Sequence, residues 1–173
     1  MSVDVLQAAG PASVEIDRES LLALAVDAAR AGNTDLVTRA IAAGVSVNAT
    51  SPRGDSLLML ACYHGHAETV QALLDRGADA SQLDARGQTP LAGVAFKGLV
   101  DVAALLVAAG AAIDTRSADG RTPLMMAAAF NRVEMASWLL EQGACRDIRD
   151  AAGLRAVDVA RAMGANDVVA ILS

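Results

Sequence analysis

The sequence predicts an all-α solenoid, a linear stack of helix-turn-helix modules joined by turn-like fingers, and three observations carry that prediction. A turn feeding a helix, Asp84-Ala85-Arg86-Gly87-Gln88-Thr89-Pro90-Leu91, returns as Asp119-Gly120-Arg121-Thr122-Pro123-Leu124, and Gly54 and Gly153 extend the series Gly87, Gly120 by one equal step each way. A second glycine ladder, Gly44, Gly77, Gly110 and Gly143, keeps the same interval as the first. Aromatics are only 2% of the chain, so the core must be built from Ala, Leu, Val, Ile and Met, which suits thin helices packed close together. Within the turn, Gly87 suits positive φ, Thr89 can cap the first free helical amides, and Pro90 fits the first helical position, where no amide donor is missed.

The 173 residues suffice for one domain, and 54% hydrophobic with 20% charged residues is the profile of a folded protein rather than a disordered one. The net charge of −6 and the absence of any Lys/Arg block argue against nucleic acid, whose phosphates are bound by clustered positive charge. Residues 1–20 carry Asp4, Glu15, Asp17 and Glu19 and no apolar run, so no secretory signal is read, and no segment is long enough to span a membrane. A cytoplasmic location is expected. Cys62 and Cys145 fall in different modules, too far apart for a disulfide, and are expected to be free thiols. Among the 14 cationic residues only Lys97 is lysine, a composition associated with GC-rich bacterial genomes.

Taken in order, residues 1–20 do not match the repeat. Ser2 to Gln7 can form a short helix ended by Gly10-Pro11, either a frayed tail or an extra element over the first module. The repeats occupy 21–173, with boundaries at about 21–50, 51–83, 84–116, 117–149 and 150–173. In the first, Leu22, Ala25, Val26 and Ala29 mark one helix, Gly32 breaks it, and Leu36, Val37, Ala40 and Ile41 mark a second that ends near Gly44. Arg39 stands where later repeats have Ala72, Leu105 and Trp138, as a cap with no neighbour on one side requires. The second repeat has Ser56-Leu57-Leu58 in place of Thr-Pro-Leu; the third and fourth are the most regular. In the fifth, Arg155-Ala156-Val157 replaces Thr-Pro-Leu and Arg161 takes a place that is Cys62, Ala95 or Ala128 inside the stack, so it too reads as a cap.

At these residues the chain resembles the ankyrin-repeat family. The matching signals are Gly-x-Thr-Pro-Leu at Gly87 and Gly120, Ala127-Ala128, Gly65-His66 and Gly77-Ala78-Asp79, all in phase with the two glycine ladders. The resemblance covers about residues 21–173 and implies a turn or β-hairpin finger and two antiparallel helices per repeat, stacked into a curved solenoid. The residues agree: Ala61, Ala95 and Ala128 let helices approach, while the Leu pairs at 73–74, 105–106 and 139–140 bury the seams between modules.

Two chemistries find little support. Cys62, His64 and His66 lie close in sequence, but helical residues two apart point about 200° away from each other and no second ligand cluster completes a tetrahedral zinc site. Cys62 fills a small-residue core place and His66 belongs to the Gly-His turn. No metal or cofactor is expected. Neither histidine lies beside a nucleophile, and no phosphate-cradling glycine motif is present, so no catalytic residue is assigned.

The contact candidates are the aromatics. Tyr63 and Phe96 stand at equivalent places near the ends of first helices, with Phe130 one residue further along in the next repeat. The resemblance implies that this place faces a concave groove. Large rings at an interface centre often carry much of the binding energy, though each ring here also suits covering the adjacent helix. Around them lie His64, Lys97 and Asn131, with Met59 and Met125 one turn earlier, and the finger tips offer Arg53, Arg86, Gln88 and Arg121 beside Asp55 and Asp119. Trp138 reads as core. The expected function is a non-catalytic protein-protein interaction module, monomeric, that binds a protein partner through groove and finger tips as a regulatory or inhibitory adaptor. A self-associating scaffold and a small-ligand or metal-binding protein are the alternatives.

Overall fold

In the computed structural model, which describes residues 17–173, ten helices follow one another: α1 Arg18–Ala31, α2 Thr34–Ala42, α3 Leu57–His64, α4 Ala67–Leu74, α5 Pro90–Lys97, α6 Val100–Ala108, α7 Pro123–Ala129, α8 Val133–Glu141, α9 Ala156–Ala162 and α10 Asn166–Leu172. They form five antiparallel pairs. The odd-numbered helices, here the inner row, pack in succession, α1 on α3, α3 on α5, α5 on α7 and α7 on α9; the even-numbered ones make a second, outer row beside them. The result is the all-α repeat solenoid expected. Its first helix begins at Arg18 rather than near residue 21, because the Asp17 carboxylate accepts the Ser20 amide at 2.8 Å and so starts the helix earlier than the apolar spacing does. The helix considered for residues 2–7 lies outside the described residues.

Local chemistry sets the helix starts. Ser56, Thr89 and Thr122 each turn a side-chain oxygen onto the amide three residues on, at Met59, Ala92 and Met125, and Pro90 and Pro123 occupy the first turn behind two of them. In the last pair Arg155 replaces the capping hydroxyl, and the Asp158 carboxylate accepts the Arg155 amide at 3.0 Å instead. Its ion pair with the Arg155 guanidinium and that amide hold Asp158 below the usual carboxylate range.

The fingers are turns with one isolated bridge, Thr50 to Ser56, and no strand among the described residues. Each closes the same way, with an amide donating to the carbonyl four residues on: Ser51 to Asp55, Asp84 to Gln88, Ser117 to Arg121 and Asp150 to Leu154. Gly87 at φ 71° supplies the left-handed step in the finger that starts at Asp84.

The core runs the length of the stack. Leu73, Leu106 and Leu139 are fully buried at the seams, worth about 2 kcal/mol each in apolar area removed from water. Their partners Leu74, Leu105 and Leu140 are only partly buried, and Trp138, read as core, is half-buried against it. Arg39 and Arg161 are exposed at the two ends; the interior counterparts of Arg161, which are Cys62, Ala95 and Ala128, are fully buried, and those of Arg39, which are Ala72, Leu105 and Trp138, are half-buried. Cys62 is buried, Cys145 is exposed, and neither is bonded to the other.

Candidate functional site

Polar bonds between neighbouring modules hold the inner helices in register, and the candidate site is built on them. The His66 ring bonds the Arg30 carbonyl oxygen through Nε2 at 2.9 Å, and two modules further on Arg132 donates from Nε to the Phe96 carbonyl oxygen at the same 2.9 Å. Both link the end of one inner helix to the start of the next outer one. Thr34 and Thr69 hydroxyls meet at 2.8 Å, and the Asp79 amide donates to Asn48 Oδ1 at 2.8 Å.

On this frame the rings of Tyr63, Phe96 and Phe130 form one continuous row. Tyr63 and Phe96 lie nearly parallel with centroids 6.4 Å apart, and Phe96 meets Phe130 edge-on at 4.3 Å. Tyr63 and Phe96 are half-buried, and Phe130 is 42% exposed. Lys97 reaches back so that Nζ stands 4.2 Å from the Tyr63 ring centre, a cation-π contact that fixes the ammonium over the row.

Next to Tyr63 a cleft of about 390 Å³ opens between α3 and the fingers. Met59, Leu60, Tyr63 and His64 line it from the helix, Arg53, Asp55, Ala85 and Arg86 from two fingers, and Arg30 from α1. Arg30 is not among the contact candidates read from the sequence, yet it stands one repeat before Tyr63 and two before Phe96, in the same register. Partial burial, with His66, Lys97 and Arg30 close by, holds His64 below the usual imidazole range.

Several expected contact residues are placed otherwise. Met59 and Met125 are 4% and 1% exposed, because α3 and α7 are covered on both sides by neighbouring inner helices, leaving no room for a surface turn of methionine. Met59 contributes only an edge to the cleft, its sulfur filling space that Gly93 leaves open. Asn131 is engaged within the stack: it takes left-handed backbone at φ 51°, donates from Nδ2 to Asp167 at 2.8 Å and accepts the Val168 amide at 3.2 Å. Arg86 is tied to Asp84, and Arg121 to Asp119 and Asp150, so the tips carry less free positive charge than the residue types suggest. Gln88 is half-buried, and its backbone N–H, not its side chain, donates to Asp84 Oδ1 at 2.8 Å. Arg53 makes no ion pair among the described residues and remains exposed.

His64 and His66 do not diverge as a continuous helix would make them. Gly65 ends α3 in left-handed backbone, and the two rings stack at 6.1 Å. Among the described residues no group of three or more His, Cys, Asp or Glu side chains converges, and no helix is long and apolar enough to cross a membrane.

The repeated sequence pattern has counterparts in known proteins. A family model described as ankyrin repeats (3 copies) matches residues 25–117 and again 92–173. An ankyrin repeat protein of Pseudomonas aeruginosa, PA3287, is 49% identical over 45 residues, a stretch that is 26% of this chain and 26% of that protein. Ankyrin repeats are in general protein-protein interaction modules and typically lack catalytic activity. With the repeat model matching from residue 25 to the last, the chain belongs to the ankyrin-repeat family.

Proposed function

We propose that the chain is a non-catalytic adaptor that docks a partner protein on the row Tyr63-Phe96-Phe130 and the adjoining finger tips, regulating or inhibiting that partner by occupying its surface. The observation that carries this reading is the row itself: three of the chain's four aromatics are contiguous and partly open to water, with Lys97 held against one end. Rings fixed by helices on either side lose little conformational entropy on binding, which favours them as anchors. The chain acts as a monomer with a protein partner rather than nucleic acid, in a cytoplasmic setting, in keeping with its net charge of −6.

The test is capture of a partner from lysate by immobilised protein, with the Tyr63→Ala/Phe96→Ala double variant alongside. The double variant is expected to lose capture while keeping its far-ultraviolet helical signal. Undiminished capture by a folded double variant would move the docking surface elsewhere. Light scattering of the pure chain checks the monomer, and a dimer mass would favour a self-associating scaffold.

A further inference from the structure

We propose that the cleft between α3 and the fingers receives an acidic segment of the partner protein, whose carboxylates meet Arg30, Arg53 and Arg86 while a neighbouring apolar side chain covers Tyr63. This rests on the groove-docking reading above and adds to it the chemistry of the occupant.

Three guanidinium groups line one cleft, and their carboxylate neighbours are Asp55 on its wall, Asp27 beside Arg30 and the buried Asp84 beside Arg86. Two of the three are already oriented: Asp27 holds Arg30 at 2.9 Å, and the fully buried Asp84 carboxylate holds Arg86 at 3.2 Å. Those anchors leave further N–H groups of each fork free, since a guanidinium has five. Arg53 makes no ion pair among the described residues, is exposed, and lines the same cleft.

A further set of acids recurs regularly away from the cleft. Asp35, Glu68, Asp101, Glu134 and Asp167 recur once per repeat in the first turns of the even-numbered helices, where each favours the positive end of its helix. None of the five lines the arginine cleft; Asp101 and Glu134 border a separate one beside Gly98 and Leu99. A cleft with low-dielectric walls of Met59, Leu60 and Tyr63 concentrates the field of its guanidinium groups, and guanidinium forks match carboxylates two oxygens at a time. A polyanion such as nucleic acid fits less well, because the regular acids and the net charge of −6 repel a phosphate chain running along the stack.

The experiment is selection of a random twelve-residue phage-displayed peptide library on the immobilised full chain, followed by affinity measurements with the synthesised peptides. Selected sequences are expected to carry clustered Asp or Glu beside an apolar residue, to lose about tenfold or more in affinity for Arg53→Glu, and to weaken between about 0.1 and 0.5 M salt. Recovery of no binding sequence, or of sequences without acids, or acidic sequences indifferent to Arg53→Glu, would overturn the inference. Acid-free sequences that still depend on Phe96 would overturn it while leaving the groove-docking reading standing. A twelve-nucleotide thymidine oligonucleotide that binds with the same dependence on Arg53 would overturn it in favour of a phosphate polymer.

Discussion

Asp84 and Ser117 occupy the same place in consecutive fingers, but only the aspartate side chain is bonded. Its carboxylate accepts the amides of Arg86 at 2.9 Å and Gln88 at 2.8 Å and pairs with the Arg86 guanidinium, whereas the buried Ser117 hydroxyl has no partner. In the flanking fingers Ser51 and Asp150 bond the corresponding amides. Removing Asp84 therefore strands two finger amides and releases the exposed Arg86 guanidinium to water, while removing the Ser117 hydroxyl strands nothing. Asp84→Ala is expected to cost about 2–3 kcal/mol, and Ser117→Ala to stay within about 0.5 kcal/mol of the parent in urea unfolding. Equal losses would mean that the Ser117 hydroxyl is bonded in solution.

Asn131 combines two contributions that substitution can separate. It takes the left-handed place that Gly32, Gly65, Gly98 and Gly164 fill in the other modules, and its side chain clamps the start of α10 through Asp167 and the Val168 amide. Asn131→Gly keeps the backbone freedom and loses the clamp; Asn131→Ala loses both. The alanine variant is expected to be less stable than the glycine variant by about 1 kcal/mol, the left-handed penalty of a residue with Cβ. Both should speed amide hydrogen exchange in α9 and α10 more than in α3. Exchange raised equally throughout would show that the clamp is not specific to the last seam.

The repeats are legible in the sequence because the finger and caps are local chemistry repeated at a fixed interval: Gly87, Thr89 and Pro90 do in the structure what their types predict. The methionines are not. Every residue from Leu57 to Cys62 is buried, so α3 has no polar stripe from which an outward face could be read. Met59 thus looks as available as Tyr63. Arg30 is hidden for another reason: it shares the register of Tyr63 and Phe96 but differs in chemistry, and the first repeat reads as a cap. Asn131 reads as surface because its neighbours are, although its place in a glycine ladder is the signal of a backbone role.

Gly87 and Gly153 stand at the same place in different fingers and differ in what surrounds them. Both have positive φ, 71° and 80°, but a Cβ on Gly87 would come within 2.3 Å of the Ala118 Cβ, while one on Gly153 would meet nothing within 4 Å. Gly153→Ala incurs only the left-handed strain, about 1–2 kcal/mol. Gly87→Ala must also push apart two fingers joined by the Ala118 amide and the Gly87 carbonyl oxygen at 2.8 Å. Its melting temperature should fall further, by several degrees beyond the Gly153 variant, since about 1 kcal/mol corresponds to roughly 2–4 °C at this chain length. Matching midpoints would show that the fingers part freely.

The two thiols report on whether the inner row stays closed. Cys62 is fully buried on α3, and burial pushes its thiol far above the ordinary range, so the reactive thiolate is suppressed as well as covered. Cys145 is exposed beyond the end of α8. With a thiol reagent such as Ellman's, the native chain should release one equivalent promptly, and a second only on unfolding in denaturant. Cys145→Ser should abolish the prompt equivalent and leave the slow one, whose rate then measures opening of the seam between α3 and its neighbours. Prompt reaction of both thiols would mean that the inner helices open far more readily than their burial implies, and the rigid presentation on which docking at Tyr63 and Phe96 depends would lose its basis.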